Sequence, residues 1–237
     1  MSARRFLTAQ WRNLLMLNYA VDPAILVPLV PAGTVLDQHA GLTYLSLVAF
    51  QFRDTRLLGM RIPFHHTFEE VNLRFYVRRE CPDNLRRAVV FIKELVPRRA
   101  IALVARALYN EPYHALPMRH MVRGEPPSVA YSWRLDGAWQ TVAADARGTA
   151  AIPGAASHEA FITEHYWGYT RQRGGGTLEY RVEHPRWRVW PATLTCTPQR
   201  LEAIYGAPFA AALTSPASVL VAEGSQVTVY RGRRVED

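Results

Sequence analysis

Phe68-Glu-Glu-Val-Asn-Leu-Arg-Phe-Tyr-Val77 alternates with a period of two. Val71, Leu73, Phe75 and Val77 fall on one face, and Phe68, Glu70, Asn72, Arg74 and Tyr76 on the other, as the side chains of a β-strand must. Three polar groups bracketed by two aromatic ones suit two settings. One is the wet side of an antiparallel sheet; the other is the inner wall of a barrel large enough to hold a ligand. The alternation alone leaves both open.

The next apolar run, Val89-Val-Phe-Ile-Lys-Glu-Leu-Val96, is interrupted only by Lys93 and Glu94. It reads as a strand covered on both sides, whose two charges need partners. Because they are adjacent, Lys93 and Glu94 point to opposite faces. Lys93 either finds an ion pair or carries its head to the sheet edge, or else it sits in an apolar pocket as Schiff-base lysines do. A helix is expected over Arg99–Leu108, and Tyr109–His120 then returns as a polar, aromatic segment punctuated by Pro112 and Pro117. Pro112 biases Glu111 towards extended backbone. Alternation beyond it turns one of Tyr113 and His114 inward and the other away, on a path beside the 68–77 strand; Tyr113 is expected inward, its ring on apolar wall and its hydroxyl within reach of Glu70 or a ligand.

Outward from this centre the chain reads as short strands with turn signals between them. Residues 1–21 form an ordinary first element with Leu14, Leu15 and Leu17 packed inward. Asp22-Pro23 starts a short helix. Thr34–Asp37 and Leu42–Phe52 read as strands, and Gly59 and Pro63 forbid a long element over 54–63. Val129–Leu135 and Ala138–Ala143 form a hairpin about Asp136-Gly137, which suits a type I′ turn. Ser157 caps a short helix to His165. Thr177–Glu183 pairs with Trp187–Thr195, Thr197-Pro198 opens a helix through Tyr205, and Val219–Glu223 with Gln226–Tyr230 makes a terminal hairpin. About ten strands and a few short helices, with no βαβ alternation and no repeat or linker, describe a mainly β (α+β) single domain over 1–237.

The composition, 49% apolar and 20% charged, is that of a soluble globular chain. No run approaches the roughly 20 apolar residues of a membrane span. Cys81 and Cys196 have no partner motif, so a reducing cytoplasm is the default location. The net charge is +8, and Lys93 is the only lysine, so arginine supplies 27 of the 28 basic residues. These arginines are scattered rather than striped, which disfavours a dedicated nucleic-acid module. No histidine pair has metal-ligand spacing; His114 with His120, and His65 with Glu69, come nearest. No serine-nucleophile motif is present. No metal or cofactor is called for.

The 68–77 run, Val90-Phe-Ile-Lys-Glu-Leu-Val-Pro-Arg98 and Leu108-Tyr-Asn-Glu-Pro-Tyr113 resemble the YqjF-like family of uncharacterised bacterial proteins. Phe6-Leu-Thr-Ala-Gln-Trp-Arg-Asn-Leu14 and Val30-Pro-Ala-Gly33 fit it too. That family is grouped with the acetoacetate decarboxylase-like superfamily. The resemblance implies a closed, mainly antiparallel β-barrel with a polar interior cavity and short peripheral helices. The decarboxylases carry their Schiff-base lysine in a Gly-aromatic-Pro-Lys-Lys segment, and the comparable stretch here is Asn110-Glu-Pro-Tyr-His114. Tyr113 and His114 stand where the paired lysines would, and Glu70 loosely matches a decarboxylase glutamate.

Three functions are then in play. The first is a binding barrel whose cavity is lined by Glu70, Asn72, Arg74, Tyr76, Asn110, Tyr113 and His114, with Arg98, Arg119 and Tyr169 at its mouth. Its arginines favour a carboxylate or other anionic ligand. The second is an enzyme acting on a keto or enolisable acid without an imine, with Glu70 and either Tyr113 or His114 as acid and base; Lys93 is the weaker alternative. The third is a basic module for a nucleic acid or a protein. A homo-oligomer is compatible with all three.

Overall fold

The computed structural model describes residues 4–61, 63–103 and 110–235. Its strands, in chain order, are β1 (Arg5–Val21), β2 (Val35–Leu36), β3 (Thr43–Leu57), β4 (Met60–Arg61), β5 (Phe68–Glu80), β6 (Leu85–Val96) and β7 (Tyr113–Ala115). There follow β8 (Met118–Arg123), β9 (Ser128–Leu135), β10 (Ala138–Ala146), β11 (Trp167–Arg171), β12 (Thr177–Glu183), β13 (Val189–Cys196), β14 (Ser218–Tyr230) and β15 (Arg233–Arg234). The short helices are α1 (His158–Thr163), α2 (Leu201–Tyr205) and α3 (Ala207–Ala212). Residues 99–103 are helical as well; the remainder of the helix expected to Leu108 lies outside the described residues.

The strands form one sheet in the order β15-β12-β11-β6-β5-β3-β1-β14-β13-β10-β9-β8, and β12 pairs additionally with β14. Pairing is antiparallel apart from β6 with β11 and β6 with β7. β5 lies in the middle, and both of its faces are buried. Val71, Leu73, Phe75 and Val77 enter a core with Leu15, Leu47, Tyr131 and Trp133, which β9, β10 and α2 cover from outside. The other face carries Phe68 and Tyr76 into a second core with Val48, Phe50, Phe161 and Trp187. The wet-sheet alternative therefore falls: Glu70, Asn72 and Arg74 lie beneath the second core's surface, at 3%, 2% and 8% exposure.

Several local expectations hold. Asp136 and Gly137 adopt φ of 46° and 82°, the pair of positive values a type I′ turn requires. Ser157 caps α1 by accepting from the Ala160 amide at 3.2 Å, and Asp22 accepts from the Ala24 amide at 2.9 Å. Others are corrected. β12 pairs with β11, whereas Val189–Cys196 pairs with β10 and β14. The terminal hairpin is one continuous strand, β14, running antiparallel to nearly all of β1. Glycine at 224 serves a close approach there: a Cβ would stand 2.1 Å from the Trp11 carbonyl oxygen. The segment after Phe52 is not irregular, since β3 continues to Leu57 and turns back as β4.

A buried carboxylate site

Register places the polar groups in rows. Asn72 of β5 stands opposite Glu94 of β6, and Glu94 stands opposite Tyr113 of β7. Glu70 and Arg74 flank Asn72 two residues away on the same strand face. β7 is held to β6, not to β5 as its path was expected to run: the Glu94 amide donates to the Pro112 carbonyl at 3.1 Å. This seats Glu111 immediately before β7, 5% exposed.

A bulge decides which β6 charge belongs here. Between Leu73 opposite Lys93 and Arg74 opposite Phe91 the register slips by one, with Ile92 as the extra residue. Unbroken alternation would put Lys93 on the face of Val89 and Phe91. The bulge puts Glu94 there instead, and Lys93 turns to the outer core, where its Nζ donates to the Ile204 carbonyl of α2.

These residues wall a cavity of about 390 Å³. Its polar end holds Glu70, Asn72, Arg74, Glu94, Glu111 and Tyr113; its apolar walls include Trp11, Phe50, Phe52, Phe68 and Trp187. Asn72 Nδ2 donates to Glu70 Oε1 at 3.0 Å, and the Tyr113 hydroxyl donates to Glu70 Oε2 at 3.0 Å. Tyr180 of β12 donates to Glu111 Oε1 at 3.1 Å. Its ring lies against Gly168 of β11, where a Cβ would come within 2.1 Å of Cζ, so the glycine is what lets the hydroxyl reach Glu111. α1 contributes the Ile162 carbonyl, which accepts from Arg74 Nη2 at 3.4 Å, and leads into His165.

Burial dominates the electrostatics. It raises the Glu70 carboxyl to about 7, against the hydrogen bonds of Asn72 and Tyr113 and the charge of Arg74. Glu111 rises to about 8, burial again leading, with the Tyr180 hydrogen bond opposing and Glu70 adding repulsion. Glu94 is pushed well above the carboxylate range by burial and then by Glu111 and Glu70. At neutral pH all three carboxyls are thus held toward their protonated forms. His165 is held neutral, its pKa lowered by burial to about 4; its Nε2 lies 3.7 Å from Asp37, too far for a hydrogen bond. Asn72 Oδ1, Arg74 Nε, Glu94 Oε2 and Glu111 Oε2 are all buried without a hydrogen-bond partner. Such groups each cost about 1–3 kcal/mol when left unpaired; Trp11 Nε1, Thr55 Oγ1 and both ring nitrogens of His165, which also line the cavity, are orphaned too.

Of the residues expected at the site, Glu70, Asn72, Arg74 and Tyr113 meet at the cavity, while six lie elsewhere. Tyr76 is buried on the same face but bonds Ser46 Oγ at 2.7 Å and packs against His165. Asn110 donates to the Arg171 carbonyl at 2.6 Å and accepts from Arg173. His114 alternates outward and is exposed. Arg98 is exposed near Glu69, and Arg119 lies 4.2 Å over the Trp139 ring, on the outside. Tyr169 is buried in a separate cluster, its hydroxyl on Glu179 at 2.6 Å. Glu69 pairs with His120 at 2.7 Å rather than with His65. Glu94, Glu111, Tyr180 and His165 were not anticipated. The signal for Glu111 was its place just before Pro112; for Tyr180, which depends on a glycine one strand away, the sequence holds none. Among the described residues no group of three or more His, Cys, Asp or Glu is arranged to hold a metal ion, and no helix is long and apolar enough to cross a membrane.

A family model, DUF2071, described as an uncharacterised conserved protein, matches residues 8–226. No protein of curated function is detectably similar in sequence. The acetoacetate decarboxylase of Legionella pneumophila superposes with a TM-score of 0.69 at 12% identity, covering 99% of this chain and 88% of that one. An acetoacetate decarboxylase-like enzyme from Sphingomonas wittichii RW1 gives 0.63 at 14% identity, covering 98% and 93%. The enduracididine biosynthesis enzyme MppR, solved with pyruvate, gives 0.64 at 12%, covering 100% and 92%. At such identities the likeness is one of fold.

Proposed function

The chain belongs to the DUF2071 family of uncharacterised conserved proteins, and from that premise we propose that it binds a small carboxylate-bearing molecule in the cavity beside β5. The observation that carries this reading is Arg74. Its guanidinium is buried, lines the cavity and leaves Nε without a partner, and among the described residues it has no ion pair. A buried cation is costly unless an anion completes it, and a ligand carboxylate does so with charge-assisted hydrogen bonds. The volume and the apolar far wall leave room for a short apolar or aromatic tail. The β12–β14 pairing, which joins the two arms of the seven-strand path β12-β11-β6-β5-β3-β1-β14, supports reading the sheet as a closed barrel around this space.

The test begins with mass spectrometry of small molecules that co-purify with the protein, followed by calorimetric titration of a panel of small carboxylic acids. Arg74→Met should weaken binding by roughly 30–100-fold, about 2–3 kcal/mol, with little loss of stability. Acids that bind the variant as tightly as the native protein would overturn the reading.

One pair of contacts favours a catalytic version. Glu70, poised near neutrality, shares a 3.0 Å hydrogen bond with Tyr113, a geometry suited to proton transfer on an enolisable acid. Imine chemistry has no amine here, because the only lysine turns to the outer core.

A further inference from the structure

Arg74 is the one arginine or lysine lining the cavity, which also holds the carboxyl groups of Glu70, Glu94 and Glu111. Of the orphaned atoms around the cavity, Glu94 Oε2, Glu111 Oε2 and Asn72 Oδ1 are oxygens of the carboxyl cluster and Arg74 Nε is the one cationic donor; Trp11 Nε1, Thr55 Oγ1 and the neutral His165 ring are the others. A ligand bearing a carboxylate alone answers Arg74 and leaves Asn72 Oδ1, which cannot donate, still unpaired. A positively charged nitrogen answers the three oxygens. An ammonium presents three donors, and three buried acceptor oxygens are on offer. Glu94 and Glu111 are 1% and 5% exposed, so an ion pair formed there is shielded from water.

Resting on the carboxylate reading above, we infer that the cavity takes a zwitterion, an amino acid or close analogue. Its carboxylate sits on Arg74, its ammonium among Asn72, Glu94 and Glu111, and its apolar side chain against Trp11, Phe50 and Trp187. The protonated carboxyls then have a use. Without a ligand, Glu94 and Glu111 avoid unpaired buried charge by holding their protons. When the ammonium enters, a carboxyl ionises against it and the displaced proton passes to solvent. Binding is thereby linked to proton release.

Three matched trios test this by calorimetry at pH 7: phenylalanine, leucine and valine, each with its des-amino acid and its decarboxylated amine. At least one amino acid should bind ten-fold or more tighter than both of its partners, and should release protons, seen as a dependence of the apparent heat on the ionisation heat of the buffer. Glu94→Gln and Glu111→Gln should each weaken the amino acid by ten-fold or more, and by at least ten-fold more than they weaken the des-amino acid. A des-amino acid that binds as tightly as its amino acid overturns the nitrogen seat while the carboxylate reading stands. An amine that matches its amino acid and ignores Arg74→Met overturns the carboxylate reading while the nitrogen seat stands. Failure of all three amino acids to bind overturns the inference. Proton release is read on the native protein, so the test survives a variant that does not fold.

Discussion

Tyr113 carries the contact on which the binding and the catalytic readings part. Its hydroxyl donates to Glu70 Oε2 and its ring lies among three carboxyl groups. Tyr113→Phe removes one hydrogen bond and almost no volume, so stability should fall by only about 0.5–1.5 kcal/mol. The lost bond stabilised the charged form of Glu70, so that carboxyl should titrate higher still. If Glu70 and Tyr113 only bind, the variant should lose affinity for an identified acid and show no other change. If Glu70 acts as base and Tyr113 as acid, turnover of a keto-acid panel, measured against pH, should fall with its acid limb displaced upward. Unchanged binding and unchanged turnover would remove Tyr113 from the site. At this scale the sequence was legible wherever strict alternation held: Glu70, Asn72 and Arg74 on one face, and Tyr113 and His114 on opposite sides. It failed at Glu94, because one extra residue at Ile92 reverses the face of everything beyond it.

Gly224 shows the same limit for whole elements. Gly224-Ser225 between two apolar runs reads as a turn, and a turn there makes a hairpin. The 17 residues of β1 offer a longer partner, and β14 stays extended along it with Gly224 opposite Arg12. What the glycine supplies is a φ of 76° and the room for the Trp11 carbonyl. Gly224→Ala therefore adds both a left-handed strain and a steric clash, and should cost roughly 2–4 kcal/mol in denaturant unfolding. A cost below 1 kcal/mol would mean that β1 and β14 are not packed as described. The strands β5 and β6, the Asp136-Gly137 hairpin and the capped α1 were legible because their signals are local. Pairing partners were not: β12 with β11 and β13 with β10 depend on which edges are free once β1, β3, β5 and β6 have assembled.

For the whole molecule, the buried carboxyls make a claim on stability that can be measured. An acid whose pKa is higher in the folded than in the unfolded chain binds more protons when folded. Its contribution is complete below the unfolded value of about 4.5 and is lost as pH rises through the folded one. Glu70, titrating near 7, and Glu111, near 8, therefore destabilise the fold progressively from mild acid to pH 8, and Glu94 acts in the same direction. His165 works oppositely. Its lowered value, about 4, costs stability only as pH falls below the usual histidine range. Asp37, held near 2 by His165 and Arg87 against the effect of burial, matters only in stronger acid. Between pH 6 and 8 the unfolded chain's histidines shed their remaining protons, which for His165, His184 and His158 is a smaller and opposing effect, and the carboxyls dominate. Each contributes about 1.4 kcal/mol per pH unit while it is protonated in the folded chain alone. Unfolding free energy should thus drop by roughly 2–4 kcal/mol from pH 6 to 8, in ligand-free protein under chemical denaturation. Glu111→Gln keeps the shape and removes the titration, so it should flatten this slope and leave the variant more stable than the native protein at pH 8. A native profile that is level or rising across that interval would show that the three carboxyls do not share a dry cavity, and would take with it the account of how the site holds charge.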